Sequence, residues 1–202
     1  LHLHSEYSLS DGIIRIKDLV SRASSLQYSA VGLTDLTNLF GLLEFYRSSR
    51  EKGIKPIVGA EVNVIKDKDS LPAPIVLLVK DKQGYINLTK IVSKAYIDGQ
   101  VNGEPMVELS LLQTYSEGLI ALSGGMEGHV GQSILAGNIP LTESRIKFFK
   151  SIFDEDFFIE VHRLGKTNEE EYNNFAVDIA TKMDVPIVAT NNVRFLMPID
   201  PE

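Results

Sequence analysis

Phe157-Phe158-Ile159-Glu160, then Tyr172-Asn173-Asn174-Phe175-Ala176-Val177-Asp178-Ile179-Ala180-Thr181-Lys182-Met183, then Pro186-Ile187-Val188-Ala189-Thr190 read as strand, helix, strand. The outer two are apolar runs of strand length, rich in aromatic and β-branched residues. In the middle run Tyr172, Phe175, Ala176, Ile179, Ala180 and Met183 recur every three or four positions, as one face of a helix does. Such βα units predict an α/β fold with a mainly parallel sheet. The alternation extends to the other end of the chain, with strands expected at 1–4, 30–34, 56–64, 75–80 and 119–122. Helical faces are expected from Ile16, Leu19, Val20 and Ala23, from Tyr85, Leu88, Ile91, Val92 and Ala95, and from Leu42, Leu43 and Tyr46. Gly53 closes the last of these, as a glycine after a helix commonly does. Residues 66–74 read as a surface loop, and no repeat, low-complexity tract or linker interrupts 1–202, so one domain is expected.

With 202 residues, 44% of them hydrophobic, the chain can bury a sizeable core. No stretch has the length and composition of a membrane span or a signal peptide, so a cytoplasmic protein is expected. Cys is absent, which excludes disulfides, thiolate metal sites and a cysteine nucleophile and leaves His, Asp and Glu as the metal-binding side chains. The formal charge of -7 argues against a protein that grips a nucleic-acid backbone, since that requires surplus Lys and Arg. The chain starts without Met and stops at Pro198-Ile199-Asp200-Pro201-Glu202, which reads as a trimmed piece of something longer.

In parallel α/β folds, chemistry collects at the carboxyl ends of strands. His2 and His4, two apart on the first strand, present both rings to one side. Asp11, Thr34-Asp35, Glu61, Glu160, His162, Asn191, Asn192 and Arg194 also fall at or after strand ends. Imidazoles joined by carboxylates fit a divalent metal. Glu61 carries the most weight, because a carboxylate on an apolar strand needs a partner or an ion. Other motifs fail. Gly165-Lys166-Thr167 has Glu160 where a phosphate-binding loop needs its first glycine, and Thr167 with Glu170 reads as a capping box. The glycines of 124–128 read as a strand-to-helix turn, Ser123 as a turn residue, and His129 as a surface or helix-start histidine.

In order and spacing, five segments resemble a known pattern. They are Leu1-His2-Leu3-His4-Ser5-Glu6-Tyr7-Ser8 with Asp11-Gly12, Leu33-Thr34-Asp35-Leu36-Thr37-Asn38-Leu39-Phe40-Gly41, Gly53-Ile54-Lys55-Pro56-Ile57-Val58-Gly59-Ala60-Glu61, Leu119-Ile120-Ala121-Leu122-Ser123-Gly124-Gly125, and Val188-Ala189-Thr190-Asn191-Asn192-Val193-Arg194-Phe195. Together they resemble the PHP (polymerase and histidinol phosphatase) domain that begins the alpha subunit of bacterial DNA polymerase III. The resemblance implies a distorted, TIM-like (β/α)7 barrel, here with a trimmed C-terminus, and a metal cluster at the strand ends. It also implies a longer parent chain, a DNA-directed DNA polymerase (nucleotidyltransferase) whose magnesium and deoxynucleotides bind outside this segment.

By the same resemblance His2, His4, Asp11 and Glu61 match metal ligands. Leu36 and Pro74 stand where histidines are expected, Gly125 where a cysteine is, Asn192 where an aspartate is, and Arg194 where the last histidine is. Leucine, proline and glycine side chains cannot coordinate, and Arg194 brings a permanent positive charge to where cations would sit. The expectation is a vestigial site holding at most one weak zinc or manganese ion, with no catalytic residue. The implied role is a structural and docking module that binds the proofreading exonuclease (epsilon) subunit and the rest of the replicase, with DNA nearby but not gripped. A metal-dependent phosphoesterase, acting as a 3′–5′ exonuclease or pyrophosphatase, is the competing reading.

Overall fold

The computed structural model describes residues 1–9, 11–66 and 70–196. Most of the expected 66–74 loop tip and the terminal 197–202 lie outside the described residues. The strands are β1 (Ala30–Leu33), β2 (Lys55–Ile65), β3 (Ala73–Val79), β4 (Gln100–Val101), β5 (Glu104–Pro105), β6 (Val107–Glu108), β7 (Leu119–Leu122), β8 (Phe157–Val161) and β9 (Ile187–Ala189). The helices are α1 (Ile16–Ser25), α2 (Leu42–Glu51), α3 (Lys82–Ile97), α4 (Leu109–Tyr115), α5 (His129–Leu135), α6 (Ile139–Phe153) and α7 (Glu169–Met183).

The main sheet runs β1-β2-β3-β7-β8-β9, with β6 beside the end of β2. Residues 1–4 do not form the expected strand. They nevertheless close the sheet on itself: the Leu3 carbonyl accepts from the Thr34 amide, while His4 N–H donates to Val193 O and Val193 N–H to His2 O. The result is the curled sheet of a distorted TIM-like barrel, as expected.

The sheet is less parallel than the sequence reading predicts. β3 runs antiparallel to both β2 and β7. Between β2 and β3 the reason is length: the connection from residue 66 to 72 is shorter than the dozen or so residues that a parallel crossover needs, so the chain must turn straight back.

Alternation sorts side chains between lumen and helices. On β8, Phe157 and Ile159 join the core beneath the helices, with Ala60, Val62, Ile75, Leu77 and Ala121. Phe158 instead meets Val76, Leu78, Leu122, Ile57 and Val188 inside the barrel. A smaller core of Leu3, Ile16, Leu19, Val20, Leu33 and Phe45 seats α1 and α2.

Several helical faces differ in detail. The α1 face is as expected, but α2 buries Phe45 and Ser49 while Leu43 and Tyr46 are exposed. Phe175 on α7 and Tyr85 on α3 are also exposed, because the neighbouring helices cover a narrower stripe than the apolar pattern spans. Gly53 has φ +70, the left-handed turn expected after α2. The Thr167–Glu170 capping box does not form. Asn168 precedes α7, and the Glu169 carboxylate instead accepts from the amides of Leu164 and Gly165.

Candidate polar site at the barrel mouth

Above the apolar lumen, β2 and β8 each place one carboxylate in line with their inward-facing residues: Glu61 and Glu160. The closing segment 1–4 brings His2 and His4 between them, ring centroids 5.6 Å apart, so the shared direction expected of the two imidazoles is present. His2 is 2% exposed and bridges opposite walls of the barrel. Its Nε2 lies 2.5 Å from Glu61 Oε2 and its Nδ1 3.0 Å from Glu160 Oε1. With a carboxylate on each nitrogen, the doubly protonated ring is favoured. Burial works against that charge, yet the hydrogen bonds to Glu160 and Glu61 win and raise the His2 pKa to about 9. Burial likewise pushes the two carboxyls up. The imidazoles of His2 and His4 at Glu61, and of His162 and His2 at Glu160, outweigh it and hold both below the ordinary carboxylate range.

The outer edge is held by Arg194. Its guanidinium meets the Asp11 carboxylate and His4 Nδ1, and its second nitrogen is 3.9 Å from Glu61 Oε2. Asp11 also lies 3.0 Å from His4 Nδ1. All four expected ligands, His2, His4, Asp11 and Glu61, are therefore brought together, with a fixed cation among them.

The positions where ligands are expected to be lost lie around this cluster. Leu36 forms a bridge to Glu61 through its backbone. Pro74 lies within β3 opposite Asn63, and its carbonyl abuts the Gly124 turn. Gly125 has φ +60, and a Cβ there would sit 2.6 Å from His162 Cε1. Asn192, also left-handed at φ 42, has a buried Oδ1 with no hydrogen-bond partner among the described residues.

Glu160 and His162, flagged at a strand end but left out of the expected ligand set, belong to the same cluster. His162 Nε2 is 3.3 Å from Glu160 Oε1, and Thr190 Oγ1 donates to that oxygen at 2.5 Å. The argument applied to Glu61, a carboxylate on an apolar strand, applied equally to Glu160 and would have found it. Thr34 and Asp35 are structural instead. Thr34 Oγ1 bonds both the amide and the carbonyl of Leu3, and Asp35 accepts from the Ser5 amide and from the hydroxyls of Ser5 and Ser8. Ser123 Oγ accepts from the Glu160 amide. His129 begins α5 and is half-buried rather than on the surface, with Nε2 3.1 Å from the Val64 carbonyl.

A barrel of this topology with a His/Glu/Asp cluster at its mouth defines a class, and comparison with known proteins agrees. The PHP domain family matches residues 1–164, and the chain belongs to that family. Among its relatives are the DNA polymerase III alpha subunits of Vibrio cholerae, 40% identical over 198 residues, and Escherichia coli K12, 42% identical over 198 residues. Each alignment covers 97% of this chain but 17% of the relative, so the chain spans about a sixth of their length. The fold also resembles a putative metal-dependent phosphoesterase from Bifidobacterium adolescentis, with TM-score 0.61 and 14% identity over 96% of this chain and 87% of that one. An amidohydrolase from Chromobacterium violaceum, with bound sulfate and no metal, gives TM-score 0.61 and 17% identity over 99% and 91%. Among the described residues, no helix is long and apolar enough to cross a membrane.

Proposed function

We propose that residues 1–202 are a single PHP domain at the N-terminus of a replicative DNA polymerase III alpha chain, where it serves as a structural and docking module and not as a phosphoesterase. The observation that carries this reading is Arg194. Its guanidinium lies among Asp11, His4 and Glu61, where a metal cluster of this family needs room for cations. A multi-metal cluster does not fit these residues. Leu36, Pro74 and Gly125 offer no ligand atom on their side chains, and an ion at His2, His4, Asp11 and Glu61 would compete with a permanent charge. The arrangement supports a different use of the inherited residues: a hydrogen-bonded, charge-balanced cluster that fixes the barrel mouth.

On this reading the partners are the proofreading exonuclease (epsilon) subunit and the remainder of the alpha chain, in the cytoplasm. Magnesium-dependent DNA synthesis belongs to that remainder. The charge of -7 fits a domain beside the DNA path that does not grip it. Titration with the cognate exonuclease subunit tests the docking claim: saturable one-to-one binding is expected, and no association at micromolar concentrations refutes it. The competing phosphoesterase reading draws on His2, His4 and Glu61, whose ligand atoms lie within 4.8 Å of one another. It requires phosphodiester turnover that disappears in His4→Ala.

A further inference from the structure

We propose that a groove beside α6 is a docking site for an acidic, amphipathic peptide segment of a partner protein, with Arg145 receiving a carboxylate and the apolar side chains around it receiving the apolar face. The site deepens the docking reading above, on which it rests for the presence of a partner, by giving a surface and the chemistry that fits it. The groove encloses about 590 Å³ between α5, α6, the first residue of α4 and residues 66, 70 and 71. None of its lining residues belongs to the barrel-mouth cluster. The sequence of α6 explains why a face is left open. Thr142, Ile146, Phe149 and Phe153 form one buried stripe that seats the helix on the core. Leu141 and Phe148, with Arg145 between them at four- and three-residue spacing, form a second stripe along the groove. Leu141 stays 40% exposed, and Leu71, which also lines the groove, 82% exposed. Apolar surface left open and rimmed by polar groups is the form a protein-contact patch takes.

Charge decides the class of partner. The chain holds 27 Asp and Glu against 20 Lys and Arg, yet the described residues lining the groove include Arg145 and Lys66 and no carboxylate. Neither cation forms an ion pair among the described residues. One nitrogen of the Arg145 guanidinium donates to the His129 carbonyl. The His129 ring is stacked on Phe149 and lies 3.1 Å, through Nε2, from the Val64 carbonyl, so the residue that holds the guanidinium is itself held. Burial lowers the Arg145 pKa, and no acidic neighbour offsets it. A guanidinium partly withdrawn from water, with donors to spare and no counter-ion, gains from a carboxylate that meets its fork. A fixed cation beside an apolar floor therefore matches a segment in which Leu- or Phe-like side chains share one face with Asp or Glu.

The test titrates the protein, by fluorescence anisotropy, with labelled amphipathic peptides: one built from Leu, Ala and Asp, one with Asn for every Asp, and one with Lys for every Asp. The Asp peptide should bind saturably with a Kd below about 1 mM, and more weakly as salt is raised. The Asn and Lys peptides should bind at least about tenfold more weakly. Arg145→Glu should lose more than about tenfold toward the Asp peptide and gain affinity for the Lys peptide, a reversal that a misfolded variant cannot produce. Leu141→Ser, at a position exposed enough to leave the fold intact, should lose about fivefold. Lys17→Glu on α1, which removes a cation that does not line the groove, should bind as the parent does. No saturable binding of the Asp peptide overturns the proposal. So does binding that the Asn peptide equals or that Arg145→Glu leaves unchanged. If sedimentation shows that the protein self-associates and that Arg145→Glu makes it monomeric, a second copy is the occupant and the proposal falls as well. The exonuclease-subunit titration is read separately: no binding there refutes that partner, while groove-specific binding of the Asp peptide still supports the site.

Discussion

If Arg194 replaces a metal cation electrostatically, Arg194→Ala should destabilise the barrel by about 2 kcal/mol. The guanidinium is 3.9 Å from Glu61 Oε2, and the Glu61 side chain is 10% exposed. At an effective dielectric constant near 20, a pair at that distance attracts by about 4 kcal/mol. About half is lost to dehydration of the arginine, whose side chain remains 27% exposed. The Asp11 contact adds less than about 1 kcal/mol, because that carboxylate is 36% exposed and screened by water. For a chain of this length, a net loss of about 2 kcal/mol lowers the melting temperature by about 4–8 °C.

Urea unfolding followed by circular dichroism measures the loss directly. Arg194→Lys, which keeps the charge but not the fork, should fall between the two. Divalent zinc or manganese should recover part of the stability of Arg194→Ala, because removing the guanidinium takes one positive charge away from Asp11 and Glu61 beside the His4 ring. If Arg194→Ala lies within about 0.5 kcal/mol of the parent and gains nothing from added metal, the substitution of arginine for metal is refuted.

Gly125→Ala should cost at least about 1–2 kcal/mol from the left-handed backbone alone, and more as the His162 ring is displaced. Chemical denaturation measures the cost. Tyr172→Phe removes a fully buried hydroxyl that donates to the Glu160 carbonyl at 2.7 Å, and should cost about 1–2 kcal/mol by the same assay. His129 supplies a pH signature. Its pKa is lowered by burial and then by Arg145, so the unfolded chain takes up the proton first. Its contribution to stability is complete above about pH 6.5 and is lost as the pH falls through the lower folded value, with a slope of at most about 1.4 kcal/mol per pH unit. In His129→Gln that part of the slope should vanish below about pH 6.5.

Most of the strands and helices were legible because their period is local: α1 buries Ile16, Leu19, Val20 and Ala23 as the spacing requires. Strand direction was not. The reversal of β3 rests on a short connection that looks, in sequence, like any surface loop. The pairing of residues 1–4 was equally hidden, because it depends on Thr34 and Val193, which are distant in sequence. At the site, His2, His4 and Glu61 stood out as candidates because histidines and an intrastrand glutamate are conspicuous in an apolar context, whereas Asp11 entered the expected set only through the family resemblance. His162 escaped selection because its setting beside Gly125 arises only when β7 and β8 pair.

On the proposed reading of the site, His2 also has a structural role. The backbone of residues 1–4 closes the barrel between β1 and Val193, while the His2 ring spans from Glu61 on β2 to Glu160 on β8. Removing the imidazole would leave two buried carboxylates facing one another without the charge between them, a far larger cost than losing one ligand from a surface site. The same side chain thus serves as a strut whether or not an ion is bound. That coupling predicts an asymmetry: His2→Ala should lower stability more than His162→Ala, although both rings contact the Glu160 carboxylate. Urea midpoints compare the two directly. Equal midpoints would refute the role of His2 as a strut between the two carboxylates.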